Sequence, residues 1–106
     1  MDRNGYNKSI LATTAGVCYV CGSNCETARH EVYEGNGTRA LSKRYGLWIN
    51  ICPSCHQYIH EHPKSDKAVD LKDDARAAFI AAGHTPAEFT RIFITGNIKW
   101  WEIDNG

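Results

Sequence analysis

The chain of 106 residues has the length of one domain, at the small end of what a single hydrophobic core can stabilise. Hydrophobic residues make up 42% of it, which excludes a disordered composition, and 12 basic against 12 acidic residues argue against a strong non-specific nucleic-acid binder. Five cysteines in so short a chain point to a metal or crosslinks that supplement a thin core.

No stretch approaches the roughly 20 apolar residues needed to cross a bilayer. The polar opening Met1-Asp2-Arg3-Asn4-Gly5-Tyr6-Asn7-Lys8, followed by the Thr- and Gly-rich segment 10–17, does not read as a secretory leader. The expectation is a cytoplasmic protein, where thiols stay reduced and paired cysteines bind metal more often than they form disulfides. The odd count agrees, because five cysteines cannot all pair within one chain.

In chain order, residues 1–15 form a polar lead-in with a short helical or irregular segment over 9–15. Residues 16–25 hold a cysteine turn with Gly22-Ser23-Asn24 as turn residues. Residues 29–34 predict a short strand, which Gly35-Asn36-Gly37 breaks before a loop carrying Arg39, Lys43 and Arg44. The apolar, β-branched run 47–51 predicts a second strand. Pro53 suits the first position of a helix, where its missing N–H costs nothing; that helix carries Cys55, His56 and His60 and ends at Pro63.

Further on, Asp70 is placed to cap a helix over 71–82 with the stripe Leu71, Ala75, Ala78, Phe79 and Ala82, and Gly83 to end it. Thr85-Pro86-Ala87-Glu88 is a capping box that opens a helix with Phe89, Ile92 and Phe93 on one face. Trp100 and Trp101 are expected to finish the packing of these helices, with a contact surface as the alternative. The predicted fold class is α+β in a single domain over 1–106. A zinc knuckle and a ββα unit occupy 16–62, followed by two C-terminal helices over 70–97.

Two constellations carry chemistry. Cys18-Tyr19-Val20-Cys21 and Cys52-Pro53-Ser54-Cys55 are two C-x-x-C pairs separated by residues 22–51. Each such turn directs two sulfurs to one point, and two turns supply the tetrahedral thiolate cage that zinc favours, with Zn–S distances of about 2.3 Å. Buried reduced thiols or a redox pair are the other readings of a single C-x-x-C; two pairs favour structural zinc, with Cys25 as a non-ligand.

The second constellation is histidine-based. His30 lies on the first strand, and His56 and His60, four apart, share one helical face. A strand–helix corner brings these together, so three neutral imidazoles can hold a divalent ion and leave positions for water and a phosphate oxygen. Such a metal acts as a Lewis acid at phosphorus and stabilises the leaving oxygen. Glu31, adjacent to His30, is the candidate base for the attacking water; His62 is a weaker candidate, because it falls about 200° round the helix from His60. His84 reads as a surface or core residue, and His56 also fits a place behind the zinc ligands.

The residues Cys18-Tyr-Val-Cys21-Gly22, Arg29-His30-Glu31-Val32-Tyr33, Arg39 with Ser42, Tyr45-Gly46-Leu47-Trp48-Ile49, Cys52 and His56 form an ordered set. So do Leu71-Lys72, Phe79, Glu88-Phe89 and Gly96-Asn97 after them. Over roughly 18–97 the chain resembles the small HNH endonuclease-like proteins of bacteriophages and prophages. The resemblance implies a ββα-metal core with a zinc-stabilised hairpin, and a metal-dependent phosphodiesterase acting on DNA.

In that family a His-His pair ends the first strand, the first as metal ligand and the second as base. The match through Tyr33 and Gly35 puts His30 in the first role and Glu31 in the second. A frame one residue earlier makes His30 the base and puts Arg29, which cannot ligate a metal, in the ligand position. The loop asparagine of the family is replaced by Thr38.

The expected function is therefore an HNH-type endonuclease. It would hold a structural Zn2+ and a second divalent ion such as Mg2+, Mn2+, Ni2+ or Zn2+, the latter on His30, His56 and His60. Glu31 would activate water, and Arg39, Lys43 and Arg44 would position the DNA backbone. The alternative is a catalytically degraded zinc module on the same scaffold that binds a protein or nucleic-acid partner. A third reading is a redox protein working through Cys18 and Cys21.

Overall fold

The computed structural model describes residues 5–34 and 38–94. Strand β1 (Ala28–Glu31) pairs antiparallel with β2 (Trp48–Ile51). The register sets Ala28 against Ile51, Arg29 against Asn50, His30 against Ile49 and Glu31 against Trp48. Between the strands lies α1 (Thr38–Tyr45), and after them α2 (Pro53–Glu61), α3 (Asp66–Ala81) and α4 (Pro86–Phe89), which runs on as a π-helical turn (Thr90–Ile94). Among the described residues the domain is thus α+β, with one two-stranded sheet and four α-helices.

The strands form where expected because Ile49 and Ile51 are β-branched and fully buried. β1 is shorter than its predicted 29–34. Val32 still donates to the Leu47 carbonyl (3.0 Å), but the Ser42 hydroxyl then occupies both backbone groups of Tyr33. It accepts from the Tyr33 amide (3.0 Å) and donates to the Tyr33 carbonyl (2.6 Å), so pairing passes from strand to side chain.

The basic segment expected as a loop is a helix, α1. Leu41 is buried beneath it, and Tyr45, one turn further, meets the Phe79 ring edge-on at 5.2 Å. Gly46 ends this helix at φ +73°, in the left-handed region where L side chains are strained. The chain before the knuckle crosses here: Asn7 N donates to Lys43 O and Ile10 N to Gly46 O, both at 2.9 Å. A Cβ at Gly46 would lie 2.3 Å from the Lys8 carbonyl. Gly46→Ala is therefore expected to cost about 1–3 kcal/mol in backbone strain, with the clash in addition. A urea denaturation midpoint checks this; an unchanged midpoint would contradict the crossing.

In the C-terminal part, α3 begins five residues before the expected start at 71. Ser65, not Asp70, is its N-cap and accepts from Ala68 N (3.3 Å), while Asp70 is exposed within the helix. Gly83, at φ +110°, follows its end as expected. The Thr85 capping box is present in both directions, at 3.1 Å each way. Phe89, Ile92 and Phe93 are all buried. Phe79 is at the centre of this packing, fully buried, with Phe89, Phe93 and Tyr45 edge-on and His84 stacked on it at 4.0 Å. His84 also approaches Glu88 (3.2 Å), which gives it a packing role. The Gly35–Gly37 break, Gly96-Asn97, Trp100 and Trp101 lie outside the described residues.

Candidate metal centre

The first cysteine pair sits on a tight turn. Cys18 N donates to Ser23 O (2.9 Å) and Gly22 N to Cys18 O (2.8 Å), with Gly22 at φ +76° closing the bend. The Cys21 amide then points at Cys18 Sγ (3.5 Å). The second pair repeats this geometry at the β2–α2 corner, where Cys52 is the N-cap of α2 and its Sγ accepts from Cys55 N (3.4 Å). Tyr19 N donates to Asn50 O (2.9 Å) and fastens the turn to the sheet.

The four sulfurs consequently lie within 4.8 Å of one another, with Cys21 and Cys52 Sγ 3.9 Å apart. A tetrahedral Zn–S4 cage has sulfur–sulfur edges of about 3.8 Å, so these cysteines can hold a zinc ion. All four thiols are free of disulfides. Ser23 beside it holds the Cys21 thiol down, to about 6, whereas burial pushes the Cys55 thiol up. Cys25 stands outside this group, its Sγ turned to Ser23 O (3.6 Å).

The histidines converge as well. His30 projects from β1, and His56 and His60 from one face of α2, so that ring centroids are 5.0 Å (His30–His56), 5.8 Å (His30–His60) and 4.6 Å (His56–His60) apart. One nitrogen of each ring lies within 4.8 Å of the others, and the Nε2 atoms of His56 and His60 are 3.0 Å apart. His30 is 2% exposed, and burial lowers its pKa to about 4, so the imidazole is neutral at neutral pH. Its Nδ1 is a buried side-chain polar atom with no hydrogen-bond partner among the described residues. A neutral, buried imidazole with a nitrogen left over, beside two further imidazoles, is a donor set that suits a divalent cation. His62, exposed, lies against the Tyr58 ring instead.

Glu31 is on the other side of β1, as the alternation of a strand dictates. Its Oε1 accepts from the Tyr6 hydroxyl (2.7 Å) and stands 3.9 Å from both Arg39 Nε and Lys43 Nζ. Two of the three basic residues read from the sequence, Arg39 and Lys43, thus meet Glu31 from α1; Arg44 lies half-buried on the same helix.

Three residues near the histidines were missed by sequence reasoning. Glu34 places a carboxylate 3.4 Å from His60 Nδ1 and 4.0 Å from His30 Nδ1. Lys72 and Arg76 of α3, with His30, Glu34 and His60, line a groove of about 730 Å³ floored by apolar side chains such as Ile59 and Phe93. Spacing within α3 marks Lys72 and Arg76 as one helical face, a weak signal; nothing in the sequence marks Glu34.

Comparison of the chain with protein-family models, with curated proteins and with solved structures gives no match. No helix among the described residues is long and apolar enough to cross a membrane.

Proposed function

We propose that the chain is a metal-dependent phosphodiesterase of the HNH type, acting on DNA, with a structural zinc at the four cysteines and a divalent ion at the three histidines. The observation that carries this reading is the meeting of His30 with His56 and His60, with the His30 Nδ1 buried and lacking a hydrogen bond. A buried polar atom in that condition costs about 1–3 kcal/mol, a cost that ligation at the cluster would offset. A divalent ion held there supplies Lewis acidity at a phosphate oxygen.

The chain's own residues supply the rest. Neutral His30 keeps its ligating lone pair, since burial disfavours its protonation. Glu31 takes the base role that the HNH resemblance gives it, removing the proton of the attacking water from the opposite face of β1, with the Tyr6 hydroxyl donating to its Oε1. Arg39 and Lys43, close to that carboxylate, attract and orient the phosphate; Lys72 and Arg76 present further positive charge along the groove. These local charges offset the absence of a net positive charge.

The expected outcome is nicking of supercoiled plasmid in added Mg2+, Mn2+, Ni2+ or Zn2+, reduced by roughly 100-fold or more in Glu31→Ala and in His56→Ala. One specific observation favours a second reading, a non-catalytic zinc module that binds a protein or nucleic-acid partner. The Glu31 carboxylate is already engaged by Tyr6 and flanked by two cations. A folded, zinc-loaded protein that cleaves with none of the four ions would decide for that module.

A further inference from the structure

Glu34 is placed for a task that neither the sequence motif nor the proposed chemistry assigns to it. It follows the end of β1, next to Tyr33, whose backbone the Ser42 hydroxyl holds on both sides. There its two carboxylate oxygens address two different rings: Oε1 is 3.4 Å from His60 Nδ1 and Oε2 is 4.0 Å from His30 Nδ1. His60 Nε2, on the opposite edge of that ring, stands 3.0 Å from His56 Nε2 and so faces the centre of the cluster. His60 is half exposed, and the Glu34 carboxylate meets the edge of its ring opposite to His56.

We infer that Glu34 is the positioning carboxylate of the histidine metal site, an inference that rests on the ion-binding part of the proposed function. An imidazole that donates Nδ1–H to a carboxylate is held in the tautomer whose Nε2 lone pair is free for a cation. Glu34 thus selects the ligating nitrogen of His60, locks the rotation of its ring, and adds a negative charge behind the donors of a divalent ion. The Nδ1 of His30 lies 4.0 Å from the second oxygen of the same carboxylate, beyond hydrogen-bond range, so Glu34 acts through the tautomer of His60. Glu31, on the other side of the strand, cannot do this while it holds Tyr6.

The test is a Co2+ titration of zinc-loaded protein, read from the visible d–d absorption of ion bound outside the cysteine cage. Glu34→Ala is expected to weaken Co2+ binding by about 10- to 100-fold, as removal of an outer carboxylate does, and Glu34→Gln by less, since its amide oxygen still accepts from Nδ1. Glu61→Ala, which removes a carboxylate on α2 that accepts from Gln57, serves as the control and should bind as wild type. Long-range 1H–15N spectra of the loaded protein should show His60 protonated at Nδ1, a signature that a merely structural Glu34 would not govern.

Equal Co2+ affinity in wild type and Glu34→Ala, or a His60 protonated at Nε2, overturns the role of Glu34 and leaves the histidine site standing. A wild-type protein that binds no Co2+ beyond the cage overturns both.

Discussion

Stripping zinc from this protein is expected to unfold it. Cys18, Cys52 and Cys55 are members of the buried core, not appendages to it, and the cage joins the 16–25 turn to the corner between β2 and α2. Structural zinc contributes roughly 10–16 kcal/mol of apparent binding free energy at neutral pH. Domains of this size have a total stability of about 5–15 kcal/mol. The first figure is as large as the second, so the apo chain has nothing left to hold a thin core together. Chelation at neutral pH should collapse the dispersion of the 1H spectrum and abolish a cooperative melt. Cys52→Ser should do the same, and is the sharper variant. Serine is a preferred N-cap and keeps the capping of α2, so its failure to fold would report the lost thiolate alone. A chelated protein that still melts cooperatively would remove zinc from the account.

The second large effect is expected at His30. His30→Leu should abolish binding of the second ion and lower cleavage by more than roughly 100-fold, the upper end of what changes behind a ligand cost. The same variant should retain its zinc and its fold. In the absence of the second ion its melting temperature should be no lower than that of wild type. The reason is that a leucine removes a buried imidazole whose Nδ1 lacks a partner, relieving about 1–3 kcal/mol. Its imperfect fit costs less than about 1.5 kcal/mol. If His30→Leu instead loses several kcal/mol and leaves metal binding untouched, His30 is a core residue and the ion has no site on it.

The parts of this molecule legible in the sequence are those written in local chemistry. The C-x-x-C pairs, Pro53 at the start of α2, the reciprocal capping of Thr85 and Glu88, and the i,i+4 spacing of His56 and His60 each depend on a few adjacent residues. The helix α1 was not legible in the same way, since its polar run Thr-Arg-Ala-Leu-Ser-Lys-Arg-Tyr buries only Leu41 and Ser42. The spacing of Leu41 and Tyr45, with Gly46 after them, was the available signal, and the surrounding charges masked it. For α3, a search anchored on Leu71 overlooked Ser65, whose helix opens with the exposed Asp66 and Lys67 before its first buried residue, Ala68. Glu31 was legible as the neighbour of His30, but a pleated strand sends neighbours to opposite faces, and the carboxylate near the His30 and His60 rings is Glu34. The Ser42 clamp on Tyr33, just before Glu34, is a contact between separate elements that no local pattern announces.

Cys52 ends one element, caps the next and belongs to the sulfur cage, and His56 stands one residue beyond its partner Cys55. Each residue turns a helix by about 100°, so the cage acts as a detent that fixes the angular setting of α2 and thereby the bearing of its imidazoles. The two sites would then be coupled, with the cage as the stronger contributor to the fold. On the proposed assignment an ion at the histidines would exchange over an intact cage, whereas loss of a caged zinc would leave the histidines without a common focus. If the cage holds zinc as proposed, zinc shortage would unseat the histidine cluster before any other metal could matter.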